Sequence, residues 1–355
     1  MQQDKYFICE RMIQRFMPKG INFFYVCAGR GLGKTYSALD LCLKIANKEF
    51  IIDESLEKQR FIYLRRTEVQ ARASSMPSTN PFKKYNRNEG TAIWGEFNTV
   101  LRCGEFYTSK DDKSDPIGYC CALSTFQNLR GVDYSDVVFI VYDECLTEDG
   151  SSTRFKNEGF TLMNLYETVN RNRILEGKPE VVLLLLSNPI DLASALLAEL
   201  DFTKILANMI LKEQQRYTDP NRSLHIEKLI DHSISEEKAK GALYKFAPKA
   251  FTDQALSGDF TENDMSLIEK VNLDEYYPYI GAEVLVLYRH KSKNLYYISA
   301  STQLATYNFK MVERETIREA VYFKYKLMLV NRVVKFDSFK TKMVFESLIR
   351  YKQPT

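Results

Sequence analysis

The stretch Ala28-Gly29-Arg30-Gly31-Leu32-Gly33-Lys34-Thr35 decides how the rest of this chain is interpreted. It follows an apolar run, residues 21–27, and precedes a segment with the pattern of a helix, residues 36–46. A strand, a glycine-rich loop and a helix in this order are typical of a phosphate-binding loop. Glycines let backbone N–H groups close around phosphate oxygens, and the helix N-terminus adds free N–H groups and a positive dipole end. The stretch therefore predicts a nucleotide-phosphate site.

Each residue type in this loop has a chemical reason. Lys34 would reach the β- and γ-phosphates of ATP, and the Thr35 hydroxyl would bind Mg²⁺. One departure from the pattern G-x-x-x-x-G-K-[ST] is that Ala28 takes the place of the first glycine. The alternative is an ordinary glycine-rich turn between a strand and a helix. The predicted nucleotide contacts are Ala28, Gly29, Arg30, Gly31, Leu32, Gly33, Lys34, Thr35 and Tyr36.

Composition limits the classes of protein to consider. The chain has 355 residues and 45% hydrophobic content, which suggests two domains with a sizeable core. We find no apolar run long enough to span a bilayer and no signal-peptide pattern at the N-terminus. The seven cysteines are irregularly spaced between Cys9 and Cys145, so we expect free thiols in an intracellular protein.

Charge is unevenly distributed along the chain. The net charge is +3, yet residues 289–355 carry 14 Lys and Arg against 5 Asp and Glu. A basic terminal region suggests contact with a polyanion such as nucleic acid. A solvated basic face explains the composition equally well.

A second motif supplies what the phosphate loop lacks. The apolar run 137–142 has the composition of a strand buried on both faces, and it ends in Asp143 and Glu144. Asp143 would hold Mg²⁺ through water alongside Thr35, and Glu144 would polarise the attacking water. Small GTPases also need an N/T-K-x-D base-reading motif, which we do not find. An intervening strand over residues 118–124 points instead to the additional-strand ATPases that act as translocases.

The remaining pattern predicts an α/β architecture. A three-layer P-loop ATPase domain with a mostly parallel sheet is expected over 1–200, a helical linker or lid over 201–230 and a smaller α+β domain over 231–355. Up to residue 190, the pattern predicts a helix in 5–17, a strand at 60–66, a loop over 67–87, an antiparallel meander over 91–108, a helix over 160–169 and a strand at 181–186. Beyond it, the pattern predicts a helical segment over 192–212, a linker at 214–222, a hairpin of 283–289 with 294–299, and helices at 316–330 and 342–351.

Further polar side chains follow buried segments. Arg171 and Arg173, at the end of the helix over 160–169, are candidate catalytic cations, one of which could cross to a neighbour's γ-phosphate in a ring. The alternative is an arginine pair that satisfies the helix C-terminus. Asn188 would sense the γ-phosphate, or it is a turn residue. The pair Arg65-Arg66 forms either an ion pair beside the core or a site facing nucleotide or a neighbour.

Together these motifs resemble one family, the genome-packaging ATPases of small phi-29-like tailed bacteriophages, which are relatives of the large terminases. The matching segments keep their order and spacing over roughly residues 20–190. They are residues 29–36 (GRGLGKTY), 61–66 (FIYLRR), 124–127 (STFQ), 138–144 (VFIVYDE), 169–173 (VNRNR) and 186–188 (LSN).

The resemblance implies a homomeric ring, pentameric in this family, that docks on the portal of an empty procapsid in the host cell cytoplasm and is absent from the mature virion. The ring drives double-stranded DNA inward at the expense of ATP, with Mg²⁺ as cofactor and without a membrane. Arg171 would act in trans as an arginine finger, and Arg130 would lie near the pore or the subunit boundary. Whether a packaging RNA bridges the motor and the portal stays an open question.

In this family the C-terminal domain resembles a ribonuclease H-type nuclease that has lost its catalytic acids. The segment 283–289 lacks the central aspartate that two metal ions would need, and Asp337 alone cannot hold two ions. We therefore expect no nuclease activity.

Three other functions are alternatives to the packaging ATPase. A hexameric helicase or other cellular ring ATPase should show a lid with a second sensor arginine, which we cannot identify. A nucleotide-gated scaffold with little turnover fits poorly with the presence of Lys34, Asp143 and Glu144. A large terminase that cleaves DNA would need the missing acidic cluster.

Overall fold

A computed structural model of the chain describes residues 6–129, 131, 133–146, 157–189, 194–229, 237–247, 267–282, 285–300, 333–338, 341–342 and 345. Arg130 and the predicted helix 316–330 lie outside these residues, as does the predicted helix 342–351 apart from residues 342 and 345. The chain divides into two compact units, Met1–Ile190 with Met209–Thr261 and Asp191–Asn208 with Glu262–Thr355. Within the described part, no helix is both long and apolar enough to span a bilayer.

A nine-stranded sheet forms the first unit, and the order of its strands is β3-β4-β5-β2-β6-β7-β1-β9-β8. The six central strands are parallel, whereas β3 and β4 at one edge and β8 at the other are antiparallel to their neighbours. Its strands are β1 (Phe23–Ala28), β2 (Arg60–Arg65), β3 (Trp94–Asn98), β4 (Cys103–Tyr107), β5 (Gly118–Ala122), β6 (Val137–Tyr142), β7 (Val182–Ser187), β8 (Arg216–Asp219) and β9 (Leu224–Leu229).

Several α-helices have both ends among the described residues. They are α1 (Cys9–Phe16), α2 (Lys34–Ala46), α3 (Glu68–Ser75), α4 (Lys83–Glu89), α5 (Glu158–Asn170), α6 (Ala195–Glu199), α7 (Phe202–Leu211) and α8 (Ala242–Phe246). Short 3-10 turns cover Met17–Lys19, Leu123–Leu129, Pro220–Arg222 and Leu273–Glu275. The predicted mostly parallel α/β fold, the meander and the helix over 160–169 are confirmed.

The sheet places the two motif strands one strand apart. β6, which ends before Asp143, and β1, which ends before the phosphate loop, both pair with β7. Every residue of β6 and β7 is buried, as expected for central strands of a parallel sheet. The additional-strand arrangement is confirmed, but the inserted strand is β7. The predicted candidate, β5, pairs instead with β2 and β4, because order along the chain does not fix order in the sheet.

Three other predictions are corrected. The linker at 214–222 contains β8, and β9 pairs in parallel with β1, so the first sheet continues beyond residue 200, where we expected it to end. The loop over 67–87 contains α3 and α4. α3 begins with a capping box, in which Thr67 and Gln70 satisfy each other's backbone N–H groups, a signal that the polar composition and Pro77 and Pro81 obscured.

A four-stranded sheet forms part of the second unit, in the order β10-β11-β12-β13. Its strands are β10 (Tyr276–Ala282), β11 (Leu285–His290), β12 (Tyr296–Ala300) and β13 (Val334–Phe336). The predicted hairpin is confirmed as the antiparallel pair β11–β12. All seven cysteines are free and buried, in line with the expected thiols.

Candidate active site

The phosphate loop connects β1 directly to α2. Gly31 and Gly33 have φ angles of +87° and +86°, a left-handed conformation that glycine adopts without steric cost. Ala28, in place of the usual first glycine, is fully buried against Leu32 and Leu229. The extra methyl group therefore packs into a small apolar cluster, and the departure from the motif leaves the turn intact.

Lys34 lies at the centre of the loop and is buried. Its Nζ donates hydrogen bonds to the carbonyl oxygens of Ala28 and Gly29, at 2.5 and 3.0 Å, and to Asn188 Oδ1 at 3.1 Å. Asn188 reaches this position because it follows β7, which lies beside β1. Burial lowers the pKa of Lys34 to about 8. The predicted lysine and the predicted γ-phosphate sensor thus lie in direct contact.

Thr35 and Asp143 meet across the sheet edge. Thr35 Oγ1 donates to the carboxylate and lies 3.1 Å from both of its oxygens, and Tyr63 Oη donates to Oδ2 at 2.6 Å. Burial raises the pKa of Asp143, against the opposing effects of the Tyr63 hydroxyl and the Arg65 charge. A hydroxyl and a carboxylate are the hard oxygen donors that Mg²⁺ prefers, so the donor set fits that ion.

Glu144 stands at the exposed side of the same edge. Its backbone φ is +51°, and its side chain is 61% exposed. Arg65 Nη2 holds the carboxylate at 2.6 Å, and Arg65 Nη1 lies 3.5 Å from Asp143. Burial alone would lower the pKa of Arg65, but Tyr63, Asp143 and Glu144 together hold it above its ordinary value. Arg65 is therefore a half-buried cation shared between the two acidic residues.

Lys34, Thr35, Asp143, Glu144 and Asn188 border one cavity of about 540 Å³. Its described lining is Arg30, Gly31, Gly33, Lys34, Thr35, Tyr36, Leu39, Pro81, Lys84, Asp143, Glu144, Leu186, Ser187 and Asn188. The Tyr36 ring lies 5.3 Å from the ring of Tyr85, on α4. The cavity combines phosphate-binding backbone, two acidic residues and an aromatic and apolar wall, which suits a nucleotide.

Arg173 does not belong to this site. Its guanidinium is buried, donates to Asp53 Oδ2 at 2.8 Å and to Val137 and Ser135 carbonyl oxygens at 3.2 and 2.7 Å. Asp53 is only 1% exposed, so removing its partner would leave a buried charge unpaired. The predicted catalytic role of Arg173 is therefore wrong. The hydrogen bonds of this arginine connect the turn after α5 to the core.

Arg171 differs from Arg173 in exposure and backbone geometry. It is exposed, its Nε donates to the Thr168 carbonyl oxygen at 3.1 Å, and its φ is +40°, an uncommon value for a residue with a side chain. It is absent from the cavity lining given above. The structure therefore separates the two arginines that the sequence presented as equivalent.

Sequence patterns did not predict Tyr63 or Lys84 as part of the site, and they left the role of Arg65 open. Tyr63 and Arg65 alternate along β2, which pairs with β6, so both reach the acidic edge. A polar tyrosine and arginine at the end of an otherwise apolar strand were the available signal. Lys84 lies on α4, inside the segment predicted to be a loop.

Comparison with known proteins places this site in a family context. The model of the podovirus DNA encapsidation protein (Gp16) family matches residues 1–348. The DNA packaging proteins of Bacillus phage PZA and Bacillus phage phi29 are each 30% identical to the chain over 150 residues, which is 42% of this chain. That match spans about two fifths, 39%, of the length of each of these relatives.

Two solved structures have a similar fold along nearly the whole chain. One is the Phi-28 gp11 DNA packaging motor, with 15% identity, a TM-score of 0.58 and coverage of 97% of this chain and 98% of that one. The other is the bacteriophage Phi-29 viral genome packaging motor assembly, with 19% identity, a TM-score of 0.59 and coverage of 98% and 99%. At these identities the similarity shows the fold.

Proposed function

The chain belongs to the podovirus DNA encapsidation protein (Gp16) family, and on this premise we propose that it is an ATPase that drives double-stranded viral DNA into a procapsid. The observation that carries the proposal is the contact between Thr35 and Asp143 beside Lys34 and Glu144. The site thus brings together a phosphate-binding lysine, a pair of oxygen donors for a metal ion and a carboxylate base.

Each residue has a role in hydrolysis. Lys34 neutralises charge on the β- and γ-phosphates, and backbone N–H groups from Gly29 to Gly33 surround the phosphate oxygens. Thr35 and Asp143 would hold Mg²⁺, which supplies Lewis-acid stabilisation of phosphate charge when bound. Glu144 orients the attacking water and accepts its proton, and Asn188 contacts the γ-phosphate.

Arg65 positions this base. Its ion pair with Glu144 fixes the carboxylate of an otherwise exposed side chain, while its contact with Asp143 keeps both acids on the same side of the cavity. Without the arginine, two neighbouring carboxylates would repel each other.

We propose that the functional unit is a ring of identical subunits, pentameric as the family resemblance implies, in which Arg171 reaches the neighbour's γ-phosphate. Arg171 is exposed outside its own cavity, and apolar side chains in the same segment are exposed as well, Ile174 to 64% and Leu175 to 84%. Exposed apolar groups of this kind are typical of protein contact surfaces.

The partners in this proposal are double-stranded DNA and the portal of the procapsid, with the motor docked transiently in the host cell cytoplasm. The basic C-terminal region supports contact with a polyanion, which includes a packaging RNA as well as DNA. We also propose that the chain translocates DNA without cutting it, because β11 carries no aspartate.

The metal-binding pair gives a first test. Thr35→Ala is expected to weaken binding of ATPγS in the presence of Mg²⁺ by about tenfold, because an oxygen donor to a charged group is lost. Binding measured with EDTA should stay near that of the wild-type protein. Titration with a fluorescent ATP analogue, with and without Mg²⁺, gives both affinities.

Thr35→Ser is the matched control, since it keeps the hydroxyl and should retain most of the Mg²⁺-dependent affinity. If Thr35→Ala loses the same affinity in EDTA as in Mg²⁺, the hydroxyl does not act through the metal ion, and the proposed pair is wrong.

A further inference from the structure

Lys238 is a second lysine on the phosphate loop, and it comes from a distant part of the chain. It follows β9 in sequence and belongs to the same compact unit as the loop. Its Nζ donates a hydrogen bond to the carbonyl oxygen of Arg30. A methyl group at Gly31 would overlap the Lys238 ammonium, so the lysine packs directly against the loop backbone.

Lys238 also adds to a concentration of positive charge. Arg30 and Lys34 line the cavity, and Lys238 lies beside that lining, against the Arg30 carbonyl oxygen. Burial, and then the charge of Arg30, lower the pKa of Lys238, and Lys238 in turn contributes to lowering the pKa of Lys34. Like charges this close repel each other. A polyanion bound beside them would attract each cation and offset that repulsion.

The donor inventory of Lys238 leaves room for such a ligand. An ammonium group carries three N–H donors and accepts none. One donor is used on the Arg30 carbonyl, and this bond holds the charge at the loop whose backbone N–H groups would bind phosphate in the proposed site. Two donors remain for phosphate oxygens.

We propose that Lys238 is a further ligand of the nucleotide's polyphosphate, supplied in cis by the segment that follows β9. The inference rests on the proposed nucleotide site and deepens it, because the site then includes a residue far beyond the segments that carry the family resemblance. Occupancy of the loop by a triphosphate would stabilise the contact between this segment and the loop.

The test measures the dissociation constant of ATPγS for full-length variants. Lys238→Met keeps the aliphatic chain but removes the charge, and it should weaken binding about tenfold, as expected for one charge-assisted hydrogen bond. Lys238→Arg keeps the charge and should bind within about threefold of the wild-type protein. Lys240→Met is the matched control, an exposed lysine two residues away that should bind like the wild-type protein.

Thermal unfolding separates binding of the ligand from stabilisation of the loop. If Lys238 binds phosphate, Lys238→Met should unfold near the wild-type temperature without nucleotide and should gain less from saturating ATPγS. An equal loss of unfolding temperature with and without ATPγS, together with unchanged affinity, would make Lys238 a structural residue and overturn the inference.

Lys34→Ala distinguishes this outcome from failure of the proposed function. If the wild-type protein binds ATPγS, Lys34→Ala does not, and Lys238→Met binds like wild type, only the role of Lys238 is wrong. If the wild-type protein itself shows no binding of ATPγS, the proposed function and the inference are both overturned.

Discussion

Glu144→Gln protein is expected to hydrolyse ATP at least about 10²-fold more slowly than wild type, while its affinity for ATP stays close to normal. The side chain borders the cavity beside Asp143 and is held by Arg65 at 2.6 Å. Glutamine keeps the size and one hydrogen-bond acceptor but cannot accept a proton from water. Because Glu144 is 61% exposed, the substitution should leave folding stability nearly unchanged.

The measurement is steady-state phosphate release, paired with binding of a fluorescent ATP analogue and a thermal unfolding curve. Glu105→Gln serves as a control for the same chemical change outside the site, since Glu105 does not line the cavity. Hydrolysis within about threefold of the wild-type rate, by a folded Glu144→Gln protein that binds ATP, would show that another group activates the water.

Arg171→Ala is expected to reduce ATP hydrolysis by about 10³-fold, a typical effect of removing an arginine finger. If the finger acts across a subunit boundary, the variant still has an intact phosphate loop. Lys34→Ala subunits have the opposite defect, with an intact arginine but no phosphate-binding lysine. Mixing the two inactive proteins should therefore restore part of the activity, because some boundaries combine an intact loop with an intact arginine.

The experiment varies the mixing ratio and follows phosphate release, with cross-linking of differently tagged subunits to show that mixed rings form. Lys178→Ala, which removes a half-buried cation paired with Glu176 after the same helix, is the control and should hydrolyse ATP normally. Failure to recover activity at every ratio, in rings shown to be mixed, would argue that Arg171 does not act in trans.

The sequence was sufficient to predict the two motifs because their chemistry is local. A phosphate loop is one continuous turn, and an acidic pair after a buried strand is visible in a single segment. The contact between Thr35 and Asp143 then follows from parallel strands whose carboxyl ends share one edge of the sheet.

Other features depend on contacts between distant segments, which local patterns do not encode. The position of β7 between β1 and β6 is set by sheet pairing. Arg173 is buried because it pairs with Asp53, which lies 120 residues away in sequence. Lys238 approaches Arg30 across 208 residues of sequence. Arg171 and Arg173 are both evident as cations in the sequence, but only the fold shows which of them is exposed.

The ATPase rate of the purified full-length protein, measured with and without duplex DNA, tests whether this chain couples ATP hydrolysis to double-stranded DNA. We expect duplex DNA to stimulate phosphate release several-fold in Mg²⁺, rising salt to reduce the stimulation, and Lys34→Ala to abolish it. A basal rate that depends on Lys34 but does not respond to duplex DNA at low salt would contradict the proposed coupling.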